Sequence, residues 1–124
     1  MAEPHRGIVL VVDDDADTRD LFFLVLAGAG LRCVPARSIT EAMARASVVR
    51  FDAVVMDLGL PRIEHGLTLA RWLRQTHDPP PLTVVTGHQL ASGPDKDLFA
   101  AVLLKPIDPD DLVTTVLRVI RDSA

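Results

Sequence analysis

The sequence predicts a single α/β domain whose parallel sheet is covered by helices on both faces. Two observations predict this class: apolar runs of strand length recur along the chain, and segments with helical spacing separate them. Most of the runs lack the apolar and polar alternation of a sheet with one wet face, so we expect strands buried on both sides. With 124 residues, 48% of them hydrophobic, the chain can bury one core, and we expect one domain over residues 1–124.

The predicted strands are short and apolar, and only the second carries an internal charge, at Arg32. They are Ile8–Val12, Leu31–Val34, Ala53–Met56, Leu82–Val85 and Val102–Leu104. Parallel strands need crossover connections, and these crossovers are right-handed, so strand and helix alternating in this way predict a doubly wound parallel sheet. A flavodoxin-like (βα)5 arrangement with strand order 2-1-3-4-5 fits best, because strand 2 is then an edge, where a charge is tolerated.

Signals for the ends of helices agree with this division. Gly28 and Gly30 are predicted to end the first helix. The segment Ser38-Ile39-Thr40-Glu41 is a capping box that predicts the start of the second helix. Asp108-Pro109 places a cap before a proline at the first position of the last helix. Only Arg121–Ala124 follow that helix, so no output domain is expected.

Charge and hydropathy exclude several classes of function. The net charge is −4 and the 13 basic residues are scattered, which argues against a nucleic-acid surface. Apolar stretches such as Leu21 to Gly30 are shorter than the roughly 20 residues needed to cross a bilayer. The N-terminus also lacks a signal-peptide pattern, so we expect a cytoplasmic protein without membrane contact. The lone Cys33 is predicted to be a small core residue.

Polar residues at the strand ends form the candidate site. In open parallel sheets, ligands bind beyond the carboxyl ends of the strands, where the strand order reverses. Asp13 and Asp14 come at the end of strand 1, Asp57 of strand 3, Thr86 of strand 4 and Lys105 of strand 5. Mg²⁺ prefers oxygen ligands such as these carboxylates. The sequence therefore predicts that Asp57 is a phosphoryl-accepting nucleophile, assisted by Mg²⁺, Lys105 and Thr86.

Each of these residues has an ordinary structural interpretation when taken alone. Aspartates after a strand are commonly helix caps or solvated loop residues, which is our prediction for Asp15 and Asp17. Thr86 alone could be a hydroxyl bonded to backbone, and Lys105 alone a solvated lysine. Complementary groups at four strand ends of one chain, with none at the edge strand 2, favour the functional interpretation.

The segments around these residues resemble the signature of response regulator receiver domains, and the resemblance covers essentially the whole chain. They are Val11-Val12-Asp13-Asp14, Met56-Asp57-Leu58-Gly59-Leu60-Pro61, Val85-Thr86-Gly87 and Leu104-Lys105-Pro106. The resemblance implies that a histidine kinase or a histidine phosphotransfer protein donates the phosphoryl group to Asp57. The protein would then catalyse only its own phosphorylation and dephosphorylation.

The resemblance also implies a ligand set for the metal. Mg²⁺ would be bound by Asp14, Asp57 and the backbone carbonyl of Gly59, with Asp13 acting largely through water. Thr86 and Lys105 would contact the phosphoryl group and move the loops that follow their strands.

The chain departs from the family pattern in the region expected to report phosphorylation. Receivers usually have Tyr or Phe three residues before the lysine, and this chain has Val102. Gly93-Pro94 predicts a shortened fourth helix of about two turns, because proline belongs at a helix start. We therefore expect phosphorylation to reorganise Gly87–Gly93 instead of flipping an aromatic ring.

Two other functions remain open at this point. The first is a degenerate receiver that binds partners without being phosphorylated. The second is a small phosphatase resembling the haloacid dehalogenases, since Asp13-x-Asp15 follows a strand. The phosphatase would leave Asp57 without a role, and the chain is short for the cap of such an enzyme.

Overall fold

The computed structural model describes residues 7–57, 63–87 and 98–123, with the backbone alone for 63–65. It confirms the predicted fold class: the sheet has five parallel strands in the order β2-β1-β3-β4-β5. The strands are β1 (Ile8–Val12), β2 (Arg32–Ala36), β3 (Ala53–Asp57), β4 (Leu82–Thr86) and β5 (Ala101–Leu104). The helices within the described residues are α1 (Ala16–Gly28), α2 (Ile39–Val48), α3 (Ile63–Arg74) and α4 (Pro109–Ser123).

The core lies on both faces of the sheet, as the apolar runs predicted. The three inner strands, β1, β3 and β4, are buried over nearly their whole length. On one face α2 and α3 cover side chains such as Leu10, Met56 and Val84. On the other face α1 and α4 cover side chains such as Val11, Val55 and Val85. Because side chains alternate between faces, each inner strand serves two cores.

The edge strand β2 begins one residue later and ends two residues later than predicted. Leu31 is excluded because its N–H donates to the Leu26 carbonyl at 3.2 Å, within the end of α1. The strand continues through Pro35, which has no N–H to donate and is tolerated at an edge. Arg32 is exposed there, as the edge position predicted.

The other edge strand, β5, is only partly buried. Ala101 and Leu103 pack against the α1 and α4 core, whereas Val102 and Leu104 are 41% and 52% exposed. Although all its residues are apolar, its burial alternates along the strand. Val102, which stands at the place of the missing aromatic residue, is thus on the exposed side of this strand.

Helix α1 ends as predicted, in a Schellman motif. Gly28 is its last residue and Gly30 has a φ of 89°, a left-handed conformation that favours glycine. The Gly30 N–H donates to the Ala27 carbonyl at 3.0 Å, and the Leu31 N–H closes the motif on Leu26. Leu26 and Leu31 are both buried, so the hydrophobic contact that usually accompanies this motif is also present.

The predicted caps of α2 and α4 are also confirmed. The Ser38 hydroxyl accepts the Glu41 N–H at 3.1 Å, whereas the Glu41 carboxylate accepts the Arg37 N–H, one residue before the capping-box position. In α4, the Asp108 carboxylate accepts the Asp110 N–H at 2.8 Å, and Pro109 is the first helical residue.

Three further sequence predictions have different outcomes. Cys33 is partly buried and packs against the core beneath α1 and α4, as predicted. This burial raises the pKa of its thiol to about 11. The predicted helix from Gly93-Pro94 lies outside the described residues. In the described part of the chain, no helix is both long and apolar enough to cross a membrane.

Candidate functional site

The register of the sheet places the predicted site residues at one edge. Val12 is level with Met56 across β1 and β3, so Asp13 and Asp57 follow on adjacent strands that lie roughly 4.8 Å apart. On β4 and β5, Thr86 is level with Leu104, the residue before Lys105. The Lys105 N–H donates to the Thr86 carbonyl at 2.9 Å, which ties these two strand ends together.

Asp57 and Lys105 form an ion pair at this edge. The Lys105 Nζ donates to Asp57 Oδ2 at 2.8 Å, and the side chains of Lys105 and Asp57 are 40% and 17% exposed. The hydrogen bond to Asp57 raises the pKa of Lys105, so the ammonium stays charged throughout the neutral range. Asp57 is therefore a partly accessible carboxylate held beside a fixed positive charge.

Asp13 is fully buried and only partly satisfied. Its Oδ1 accepts the Asp15 N–H at 2.9 Å, whereas its buried Oδ2 accepts no hydrogen bond from the described residues. Burial raises the pKa of Asp13 to about 6; the charges of Asp57 and Asp14 also raise it, and the Asp15 N–H and Lys105 oppose the shift. A buried carboxylate without its partners is unfavourable, so a cation or its bound water is a natural complement for Oδ2.

The rest of the acidic cluster divides into structural and accessible residues. Asp15 is the N-cap of α1: it accepts the Thr18 N–H at 3.1 Å, and its bonds to Thr18 lower its pKa. Asp17 is exposed in the first turn of the helix. Both outcomes confirm the structural interpretation of these residues. Asp14, between Asp13 and the cap, is exposed at the site edge.

The donor set fits Mg²⁺. Mg²⁺ is held by one or two carboxylates together with waters and phosphate oxygens, and not by a cage of protein side chains. Among the described residues, no group of three or more His, Cys, Asp or Glu side chains is placed to hold a metal ion. The carboxylates of Asp13, Asp14 and Asp57 offer oxygen donors only, and one of these oxygens, Asp13 Oδ2, accepts no hydrogen bond from the described residues. Gly59, the predicted carbonyl ligand, lies outside the described residues.

Arg19 belongs to the site, although no sequence signal identified it. It lies in α1, partly buried, and its Nη1 donates to the backbone carbonyl of Asp13 at 2.9 Å. A basic residue one turn into a helix is ordinary in sequence, and its spacing of six residues from Asp13 corresponds to no capping motif. The contact depends on how α1 leaves β1, which the sequence pattern does not specify.

An apolar hollow of about 460 Å³ adjoins the site between α1 and α4, and we call it the α1 groove. Its lining residues come from α1, from the segment after β5 and from the start of α4: Thr18, Leu21, Phe22, Val25, Lys105, Pro106, Ile107, Pro109 and Leu112. Leu21 and the neighbouring Leu24 are 52% and 71% exposed. Lys105 thus belongs both to the groove and to the ion pair with Asp57.

Comparison with known proteins is consistent with this geometry. A family model described as "Response regulator receiver domain" matches residues 9–117. The DNA-binding transcriptional regulator NtrC of Salmonella typhimurium is 35% identical over an alignment that covers 94% of this chain and 25% of NtrC. The chain therefore spans about a quarter of the length of this curated relative.

Solved structures show the same likeness. The chain superimposes on a CheY-like receiver domain from Methylobacillus flagellatus with a TM-score of 0.78 and 26% identity, covering 94% of this chain and 98% of that one. It superimposes on NtrX from Brucella abortus with a TM-score of 0.83 and 25% identity, covering 94% of this chain and 26% of NtrX.

Proposed function

The chain belongs to the response regulator receiver domain family, and on this premise we propose that it accepts a phosphoryl group from a phosphohistidine onto Asp57. It then signals, or passes the phosphoryl group on, through protein partners. The donor is a histidine kinase or a histidine phosphotransfer protein. Residues 1–124 act in this proposal as one receiver unit.

The ion pair between Asp57 and Lys105 carries the proposal. A carboxylate must be ionised and reachable to attack phosphorus, and the incoming group brings negative charge that must be neutralised. Asp57 is 17% exposed at the sheet edge, and the Lys105 ammonium lies 2.8 Å from its Oδ2. The nucleophile and the cation that stabilises the transferred group are thus already adjacent.

The transfer step forms one bond and breaks one bond. An Asp57 oxygen attacks the phosphorus and a P–O bond forms, while the P–N bond of the phosphohistidine breaks and its electron pair returns to the imidazole nitrogen. Lys105 then donates to a phosphoryl oxygen in place of the free carboxylate. The Thr86 hydroxyl, on the same edge, donates to another, and the Lys105 N–H bond to the Thr86 carbonyl couples the two strand ends.

Asp14, Asp57 and the Gly59 carbonyl would hold Mg²⁺, with Asp13 acting through bound water. When bound, Mg²⁺ neutralises charge on the transferring phosphoryl oxygens. Asp13 Oδ2 supports this assignment: it accepts no hydrogen bond from the described residues, and a buried carboxylate oxygen without a partner is unfavourable.

The α1 groove is the surface we assign to the phosphodonor. A donor must bring its histidine to Asp57, and the groove is apolar and continuous with Lys105. We expect Leu21→Ser to slow phosphorylation by a phosphohistidine protein while leaving phosphorylation by acetyl phosphate unchanged, because the small donor needs no docking surface. Val48→Ser, at an 82% exposed site on α2, is the control and should change neither rate.

The phosphatase alternative is disfavoured by the environment of both residues of its motif. Asp13, which would be its nucleophile, is fully buried, with one oxygen bonded to the Asp15 N–H. Asp15 is occupied as the N-cap of α1. Asp13 is therefore inaccessible to a substrate, and Asp15, whose pKa is lowered by its bonds to Thr18, is a poor proton donor.

Mass spectrometry after incubation with acetyl phosphate and Mg²⁺ tests the proposal. We expect the wild-type chain to gain one phosphoryl group, which hydroxylamine removes as it does from acyl phosphates, and Asp57→Ala to gain none. Asp122→Ala, at an exposed carboxylate near the end of α4, should behave as wild type. A gain that survives Asp57→Ala would refute Asp57 as the acceptor. No gain in the wild type from any donor would instead favour the degenerate, binding-only receiver.

A further inference from the structure

Arg19 makes a contact that the phosphoacceptor chemistry does not use. It lies in the most acidic part of the chain, close to Asp13, Asp14, Asp15 and Asp17. Its Nη1 donates to the backbone carbonyl of Asp13 at 2.9 Å. The guanidinium is thus aimed at the backbone of the loop between β1 and α1, although carboxylates surround it in sequence.

With this contact, Asp13 is held by three hydrogen bonds. The Asp13 N–H donates to the Ala36 carbonyl at 3.1 Å, its Oδ1 accepts the Asp15 N–H at 2.9 Å, and Arg19 holds its carbonyl. Since a peptide unit is planar, fixing the Asp13 carbonyl also fixes the N–H of Asp14 and the point from which the Asp14 side chain departs.

The position of Asp14 depends on the hydrogen bonds that hold Asp13. Asp14 is exposed, and the hydrogen bonds of the neighbouring carboxylates, from the Asp15 N–H to Asp13 Oδ1 and from the Thr18 N–H to Asp15 Oδ2, do not involve it. The backbone therefore sets the position of the Asp14 Cα and the direction of its Cα–Cβ bond, from which the carboxylate must reach the metal. A shift of the preceding peptide unit would therefore displace the whole Asp14 side chain.

We propose that Arg19 is a positioning residue that aims the Asp14 carboxylate at the divalent cation by holding the peptide unit between Asp13 and Asp14. The inference rests on the proposed Mg²⁺-dependent function and extends it to a residue that contacts neither the metal nor the phosphoryl group.

Positioning and charge predict opposite effects of losing Arg19. If Arg19 acted only as a positive charge near the acidic cluster, removing it would tighten Mg²⁺ binding, because a nearby cation repels Mg²⁺. If it orients a ligand, removing it weakens binding, and outer groups that orient metal ligands contribute on the order of tenfold in metal affinity. The sign of the change therefore separates the two roles.

Calorimetric titration of Mg²⁺ into the unphosphorylated chain measures this sign. We expect the Kd for Mg²⁺ to rise on the order of tenfold in Arg19→Gln. Arg19→Lys keeps the charge but replaces the rigid fork by a point donor, so its Kd should lie between those of Arg19→Gln and the wild type. Arg45→Gln removes the same charge from an exposed site in the last turn of α2 and should leave the Kd unchanged.

Amide NMR of the same proteins checks that each variant is folded and should show shifts at Asp14 and Asp15 in Arg19→Gln. If Arg19→Gln does not fold, the intermediate Kd of Arg19→Lys is the test. A folded Arg19→Gln protein with an unchanged or lower Kd overturns the inference, as does a wild-type Kd in Arg19→Lys when Arg19→Gln is unfolded.

Asp14→Asn distinguishes this inference from the function on which it rests. If the wild type binds no Mg²⁺, or if Asp14→Asn binds it as tightly as the wild type, the proposed metal site is wrong. If Asp14→Asn loses binding while Arg19→Gln keeps the wild-type Kd, the metal site stands and only the role of Arg19 is refuted.

Discussion

Asp13 shows how a site residue can oppose the stability of its own fold. It is fully buried, its Oδ2 has no hydrogen-bond donor among the described residues, and burial beside Asp57 and Asp14 raises its pKa to about 6. Above that pH the Asp13 carboxyl is ionised in the native state, and this buried charge lowers the free energy of unfolding. Binding sites commonly keep such groups because the ligand, and not the fold, completes them.

Asp13→Asn should stabilise the apoprotein at neutral pH. The native pKa is raised above the usual 3.8, so the native state binds more protons than the unfolded state between about pH 4 and 6, and the free energy of unfolding falls as pH rises through this window. Asparagine carries no such charge. We expect a gain on the order of 1–2 kcal/mol at pH 7, after solvent screening, and little gain near pH 4.

Urea unfolding in EDTA at pH 4, 5, 6 and 7 measures this difference. Asp122→Asn, at an exposed carboxylate, is the matched control and should show no growing difference from the wild type. A difference between Asp13→Asn and the wild type that stays constant from pH 4 to 7 would contradict the assigned pKa.

Thr83 offers a second test of an unsatisfied buried group. It is fully buried in β4, level with Val55 and Ala101 on the neighbouring strands, and its hydroxyl has no partner in the described residues. Thr83→Val keeps the shape and removes the hydroxyl, so we expect the free energy of unfolding to rise by about 1 kcal/mol. Thr83→Ser keeps the hydroxyl and loses a methyl, so it should be less stable than the wild type by about 1 kcal/mol. A Thr83→Val protein less stable than the wild type would show that the hydroxyl is hydrogen-bonded in solution.

At the scale of elements, the end of α1 contains two glycines with opposite roles. Gly30 has a φ of 89°, whereas Gly28 is helical and a Cβ added there meets no atom within 4 Å. Gly30→Ala should lower the free energy of unfolding by about 1 kcal/mol because it forces alanine into the left-handed region. Gly28→Ala should raise it by about 0.5–1 kcal/mol, because alanine favours the helix.

Thermal and urea unfolding of both variants measure these changes, and each variant is the control for the other. The same substitution two residues apart should change the free energy of unfolding in opposite directions. Losses of equal size in both variants would mean that the end of α1 differs from the Schellman motif described above.

Element boundaries were predicted well wherever local chemistry decided them. The caps of α2 and α4 and the end of α1 follow from side chains within four residues of each helix end. The start of β2 was predicted one residue early, because Leu31 takes part in the end of the preceding helix. Its extension through Pro35 depends on being an edge strand, which is a property of the sheet and not of the segment.

At the scale of the whole molecule, Mg²⁺ binding should increase the stability of the native state. A ligand that binds only the native state raises the free energy of unfolding, by about 1.4 kcal/mol at ten times its Kd. We expect this increase in the wild type and its loss in Asp14→Asn. Unfolding curves with and without Mg²⁺ measure it, with Asp20→Asn on the exposed side of α1 as the control. An equal increase in all three proteins would place the ion elsewhere.

The conformational response to phosphorylation also involves the whole domain. The expectation that Gly87–Gly93 reorganises falls mostly on residues outside the described range and stays a prediction. Beryllofluoride with Mg²⁺ mimics the phosphoryl group, and amide exchange should then change more in this segment than at the Ser38 cap of α2. Unchanged exchange between Gly87 and Gly93 would refute it.

The sequence by itself determined the fold class and the strand order of the sheet and predicted which strand ends carry the candidate site residues, because periodicity, caps and strand-end residues can be read along the chain. Only the tertiary structure decided the register that sets Asp13 beside Asp57, the burial that leaves Asp13 Oδ2 without a partner, and the contact of Arg19 with the Asp13 backbone. These features depend on which elements pack together and at what angle. Asp57 meets Lys105 only because strands distant in the chain lie side by side, and burial by the packed elements raises the pKa of Asp13.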